Sequence, residues 1–167
     1  MFIEDNNFLT LEQKQTIENL FFGNLTVPYY LSLAAVKPND GGFHFIHQIK
    51  HRETGEWSGL KNLAIDILNS FCKKNNITYN NIFRCAVNIT FNNGSVYKCP
   101  IHFDHKFNHN QLLIYLNDAV GDTVILDDDK NVIISPEKFK GIYFDNKQHY
   151  HYFPIKGIRV VMVFTFL

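Results

Sequence analysis

From Ile82 onward the chain breaks into short apolar runs, each closed by residues that favour turns. The runs are 82–91, 96–104, 111–117, 122–127, 131–135, 140–144, 148–153 and 158–166, eight in all. Between them lie Asn92-Asn93-Gly94, His109-Asn110, Val120-Gly121, Asp128-Asp129-Lys130, Pro136-Glu137, Asn146-Lys147 and Pro154-Ile155-Lys156-Gly157. Glycine, proline and asparagine supply the backbone angles that end a strand, so this punctuation predicts a series of antiparallel strands. Open strand edges invite unwanted pairing, and two facing sheets of such strands hide most of them. The expected architecture is therefore a jelly roll, the double-stranded β-helix.

The N-terminal half reads differently. Thr10-Leu11-Glu12-Gln13 is a capping box, with the Thr10 side chain and Gln13 placed to satisfy each other's backbone. Leu11, Ile17, Leu20 and Phe21 come next at helical spacing, which predicts a helix over 10–22. Val27 to Val36 is apolar and aromatic and reads as a strand, and Lys37-Pro38-Asn39-Asp40-Gly41-Gly42 reads as a loop. His44, His47 and His51 have a spacing that suits metal ligation on a helix, but their polar context favours a surface segment or a flap over a site. Ser58 can cap a second helix, with Leu60, Leu63, Ala64, Ile67, Leu68 and Phe71 on one face and Lys73 and Lys74 in its last turn. The fold class is mainly β with N-terminal helices. With no repeat or linker, residues 1–167 read as one domain.

Composition narrows the function classes. Lys+Arg and Asp+Glu are both 16, so no overall basic field points to nucleic acid. Cys72, Cys85 and Cys99 are odd in number and lack close pairing, as expected of small apolar fillers in a reducing compartment. The acidic start at Glu4 and Asp5 is unlike a signal peptide, and no apolar run is long enough to span a membrane. A cytoplasmic protein is expected. Asp127-Asp128-Asp129 lacks the glycine and terminal glutamate of a calcium loop and reads as a solvated turn.

The chemistry concentrates in His102-Phe103-Asp104. Residues two apart on an extended strand share a face, so one imidazole and one carboxylate can address a single metal. His149 or His151 can complete the set, since both alternate to one face of a later strand. Two histidines and a carboxylate with open positions are the ligands of non-haem Fe(II) oxygenases. Further along the chain, in order, lie Tyr115-Leu116-Asn117, Gly121-Asp122-Thr123, the distal histidine, and Gly157-Ile158-Arg159. In this order the chain resembles the Fe(II)/2-oxoglutarate-dependent dioxygenases, in particular the prolyl-4-hydroxylase-like branch with its small bacterial and phage members. The resemblance covers roughly residues 82–167, and Leu9-Thr10-Leu11-Glu12 looks like the branch's usual first helix.

The resemblance implies that His102, Asp104 and a distal histidine bind iron. The family spaces a glycine and a basic residue after that histidine as Gly157 and Arg159 are spaced after His149, which favours His149 over His151. It implies that Arg159 pairs with the distal carboxylate of 2-oxoglutarate, that Tyr115 donates its hydroxyl to the same group, and that Thr123 either assists or only shapes its turn. The cofactor set implied is Fe(II), 2-oxoglutarate and O2, with ascorbate as an auxiliary reductant. The reaction implied is oxidative decarboxylation of 2-oxoglutarate coupled to hydroxylation of a C–H bond. Arg84, Asn88 and Thr90 alternate along one face of their strand and either line the substrate side or face solvent. In the last strand Arg159, Val161, Val163 and Thr165 share one face and Val160, Met162, Phe164 and Phe166 the other.

For substrate, branch analogy implies a prolyl or other protein side chain, with a small molecule still open. Nucleobase-demethylating relatives carry a second arginine six residues after the first, where this chain has Thr165, which argues against nucleic acid. A phage-encoded member would work in the host cytoplasm. The rival class is a cupin-like metal- or ligand-binding module without oxygenase activity, which would need neither Arg159 nor Tyr115. Oligomeric state is not legible.

Overall fold

The computed structural model describes all residues of the chain except 24, 25, 93, 95, 128 and 129. The turn signals at Asn93 and Asp128-Asp129 lie outside the described residues. The elements are β1 (Phe2–Asp5), α1 (Leu11–Phe21), β2 (Tyr30–Ser32), β3 (His44–Lys50), α2 (Lys61–Lys74), β4 (Ile82–Phe91), β5 (Asn110–Tyr115), β6 (Thr123–Ile125), β7 (Val132–Ile134), β8 (Gly141–Phe144), β9 (His149–His151) and β10 (Ile158–Phe166). A seven-stranded sheet has the order β1-β8-β5-β10-β4-β3-β2, and a three-stranded sheet the order β7-β6-β9. The pairings are antiparallel, as expected of a double-stranded β-helix.

Alternation decides which residues make the core. Val160, Met162, Phe164 and Phe166 of β10, with Leu112 and Ile114 of β5, pack against Ile17 of α1 and Ile67, Leu68 and Phe71 of α2. The intervening Val161 and Val163 join Leu113, Tyr115, Ile125, Ile134, Ile142 and Phe144 between the two sheets. The helices thus cover one face of the large sheet and leave the other to the small sheet. The capping box of α1 forms as expected: Gln13 N–H donates to Thr10 Oγ1 at 3.1 Å, and Thr10 N–H donates to Gln13 Oε1 at 2.9 Å. At α2 the N-cap is Leu60, and Ser58 Oγ accepts from Leu60 N–H at 3.2 Å. Among the described residues, no helix is long and apolar enough to cross a membrane.

Three expectations need correction, and one strand went unread. The run 96–104 forms only single bridges, Lys98 with Tyr152 and His102 with His149. Pro100 has no N–H to give a ladder, which accounts for the interruption. The strand at 27–36 shrinks to β2 because Asp40 folds the segment after Ser32 into a loop. Its carboxylate accepts from the N–H groups of Ala35, Val36, Lys37 and Gly42 at 3.0, 2.7, 3.0 and 2.9 Å. Burial alone would raise the Asp40 pKa, but these bonds bring it down to about 2. The His44 and His47 segment is neither flap nor surface: it is β3, an inner strand of the large sheet, and both rings are buried. Its apolar alternation is masked by histidines and by an irregularity between Gln48 and Lys50. The acidic N-terminus forms β1 on β8, with the Met1 amine 2.6 Å from Asp145 Oδ2.

Phe71 is fully buried, edge-on to Phe8 at 5.0 Å between ring centroids. Phe71→Ala is expected to cost about 3–5 kcal/mol. Urea unfolding followed by circular dichroism checks this.

Candidate metal centre

The segment 100–104 lies against β9 and brings His102, Asp104 and His149 together, with one donor atom of each within 4.8 Å of the others. Two backbone bonds fix the histidine pair: His102 N–H donates to His149 O at 3.1 Å, and His149 N–H donates to His102 O at 3.0 Å. Their rings stand 4.4 Å apart, centroid to centroid. His102 Nδ1 is 2.8 Å from Pro100 O, and His149 Nδ1 is 3.3 Å from Lys147 O. A carbonyl can only accept, so each Nδ1 carries the hydrogen and each Nε2 keeps a lone pair for a metal. Two imidazoles and one carboxylate fit Fe(II) by donor type.

Charge favours the ligating forms. Burial alone would raise the Asp104 pKa, but His149, Arg84, His102 and Arg52 outweigh it and bring the pKa down to about 2. Burial pushes His149 down to about 4 against the opposing pull of Asp104, so its ring is neutral near pH 7. Gln111 is a site residue that sequence reasoning missed. Its side-chain amide donates to Asp104 Oδ2, and its Nε2 is 3.4 Å from His149 Nε2. The signal was present: Gln111, Leu113 and Tyr115 share a face of β5, so Gln111 is a polar residue on a buried face.

Arg159 lies in the same cavity as the triad, together with Thr123. The residue is 4% exposed, and Nη2 donates to Thr123 Oγ1 at 2.7 Å. The Tyr115 hydroxyl donates to the same oxygen at 2.7 Å, and the guanidinium carbon lies 5.3 Å from the Tyr115 ring centre. Thr123 therefore ties Tyr115 to Arg159. Burial lowers the Arg159 pKa and raises that of Tyr115. Among the described residues, nothing accepts a hydrogen bond from the buried Arg159 Nε. Asp122 is the acid whose charge acts on Arg159, from beyond ion-pair distance.

The two candidate distal histidines go to different places. His149 joins His102 and Asp104, whereas His151 stands opposite Thr123 in register, with Nδ1 3.2 Å from Cys99 Sγ and a buried Nε2 that has no hydrogen-bond partner among the described residues. Cys99 is thus a cavity residue as well as a filler, and burial pushes its thiol up to about 11. Arg84, Asn88 and Thr90 line the cavity, as do His44 and the loop residues Ala35 and Val36. His109 is buried, and half-buried His105 has Nε2 2.8 Å from Thr165 Oγ1.

This architecture is the jelly roll of the 2OG-Fe(II) oxygenases, and the likeness is one of fold. A 2OG-Fe(II) oxygenase family oxidoreductase from Burkholderia pseudomallei superposes with a TM-score of 0.77 at 14% identity, covering 98% of this chain and 84% of that one. A prolyl hydroxylase from Trichoplax adhaerens, solved with a hypoxia inducible factor oxygen degradation domain peptide, gives 0.70 at 19% identity, covering 99% and 83%. A Pseudomonas putida prolyl-4-hydroxylase gives 0.64 at 12% identity, covering 99% and 91%. No family model and no curated protein matches the sequence.

Thr123→Val keeps shape but leaves the Tyr115 and Arg159 donors without their acceptor. It is expected to cost about 1–3 kcal/mol per stranded donor, and Thr123→Ser is expected to retain most of that stability. Denaturant unfolding of both variants reads the difference.

Proposed function

We propose that the chain is an Fe(II)- and 2-oxoglutarate-dependent dioxygenase, with residues 1–167 forming one such domain, and that it hydroxylates a C–H bond. The observation that carries this reading is one cavity holding both a two-histidine, one-carboxylate set and a buried arginine whose Nε has no hydrogen-bond partner among the described residues. Leaving such a charge unpaired in a dry site is costly, so an anion is expected to meet it. In this reading His102, Asp104 and His149 hold Fe(II). Arg159 receives the distal carboxylate of 2-oxoglutarate, whose planar pair of oxygens matches a guanidinium fork. Tyr115 and Thr123 hold that fork in place. Gln111 engages one oxygen of Asp104 and leaves the other to the metal. Bound Fe(II) supplies the oxidative chemistry, in which 2-oxoglutarate and O2 give succinate, CO2 and a hydroxylated substrate.

For substrate we favour a prolyl or other protein side chain. The support is the set of prolyl hydroxylases of this fold, one of them solved with a peptide. The test is conversion of 2-oxoglutarate to succinate by purified protein given Fe(II) and ascorbate. Metal uptake without conversion in the presence of a peptide library would return the protein to the class of metal-binding cupin-like modules.

Two sets of variants probe the assignments. His149→Ala is expected to lose Mn(II) binding and His151→Ala to keep it; calorimetric titration reads both, and the reverse result transfers the ligand to His151. Arg159→Ala is expected to weaken 2-oxoglutarate binding by about 2–4 kcal/mol, roughly thirty- to a thousandfold, with Mn(II) affinity nearly intact. Unchanged 2-oxoglutarate affinity would assign Arg159 to stability alone.

A further inference from the structure

One charged group in the cavity makes no direct contact with the ligands it acts on. Arg84 lies on β4 and lines the cavity with Asn88 and Thr90. Among the described residues, no side chain or carbonyl accepts a hydrogen bond from its guanidinium, and no acid lies within ion-pair distance. Asp104 and Glu53 act on it only from further off, and Arg52 opposes them. Arg52 is itself held loosely, with Nη2 3.9 Å from Asp104 Oδ1 and a side chain 38% exposed. Two guanidinium groups therefore flank the one carboxylate of the metal centre.

Register separates this pair from Arg159. Arg159 stands opposite Thr90, and Thr165 stands opposite Arg84. Six residues of extended strand span about 20 Å. A five-carbon dicarboxylate that reaches Arg159 and the metal is far too short to reach Arg84 as well. The charges acting on Asp104 include Arg84 and Arg52, while Arg159 is influenced by Tyr115, Cys99 and Asp122.

We propose that Arg84, with Arg52 beside it, forms a second anion subsite that receives a carboxylate of the substrate to be oxidised. This rests on the oxygenase reading and extends it to a substrate class. A divalent ion at the triad takes up the charge of Asp104. Arg84 and Arg52 are then two cations beside a third, and Arg84 is the one whose burial makes unpaired charge costly. A substrate carboxylate restores the balance, and a neutral group of the same shape does not. The carboxylate can belong to a free acid or to an acidic side chain of a protein segment; the recognition chemistry is the same.

The test uses the full chain. Mn(II) and 2-oxoglutarate are titrated first, and failure of the wild-type protein to take up either overturns the oxygenase reading and this inference together. Two probe sets are then titrated into the loaded protein: free amino acids with their amide twins, and blocked tripeptides bearing Asp or Glu with their Asn or Gln twins. Carboxylate probes are expected to bind about tenfold or more tightly than their twins, the size of one charge-assisted hydrogen bond. Preference confined to the free acids identifies a small-molecule substrate, and preference confined to the blocked peptides a protein one. Arg84→Gln is expected to remove the preference and Arg84→Lys to keep part of it, with Mn(II) and 2-oxoglutarate still bound by both. No preference in the wild-type protein, or a preference that survives Arg84→Gln, overturns the inference while leaving the oxygenase reading standing. Loss of Mn(II) affinity in Arg84→Gln also overturns it, because Arg84 would then serve to hold Asp104.

Discussion

β10 pairs with β5 on one side and β4 on the other, and its two faces do different work. Val160, Met162, Phe164 and Phe166 anchor the helices, while Arg159, Val161 and Val163 face the cavity. Because side chains alternate strictly along a strand, a shift of one residue in its pairing would exchange the two sets. It would bury Arg159 among the helix contacts and turn Phe164 into the cavity. The apolar face therefore fixes the register, and the register in turn aims the arginine. Stability and chemistry are coupled through one strand, and Val161 and Val163 serve both the core between the sheets and the cavity wall.

Legibility in the sequence depends on how local each signal is. The capping box of α1, the apolar stripe of α2 and the alternation of β10 are carried by adjacent residues, and all three are found. His102, Asp104, Arg159, Tyr115 and Thr123 were legible as ordered motifs, and they share a cavity or its hydrogen-bond network. The inner strand β3 was hidden because His44 and His47 look polar in sequence but are buried, His47 with Nδ1 2.8 Å from Pro28 O. That partner is nineteen residues away, and no local pattern reports it. β1 was missed for a related reason: a four-residue edge strand owes its existence to β8 and not to its own composition.

The arginine end of the cavity illustrates how a buried charge is held without being neutralised. The Thr123 hydroxyl and the Tyr115 ring face are both weakly attractive to a guanidinium, and neither brings a formal charge. An aspartate in place of Thr123 would stabilise Arg159 more strongly, but it would also compete with any anionic ligand. The present partners orient the fork and leave its electrostatic demand open, which is the arrangement that an anion-binding site requires.

The metal end is built on a different principle. His102 and His149 are locked by reciprocal backbone bonds and by carbonyls on their Nδ1 atoms, so their Nε2 lone pairs are aimed before any ion arrives. Asp104 lies beyond the last of those backbone bonds, in a stretch where Pro100 has already broken the ladder. Its carboxylate is positioned from the neighbouring sheet instead, by the Gln111 amide on β5. Two ligands thus depend on β9 and the third on β5, so the centre assembles only when the small and large sheets face each other correctly. The apolar layer of Leu113, Ile125, Ile134, Ile142 and Val163 that joins the sheets is therefore also what brings the carboxylate to the histidines.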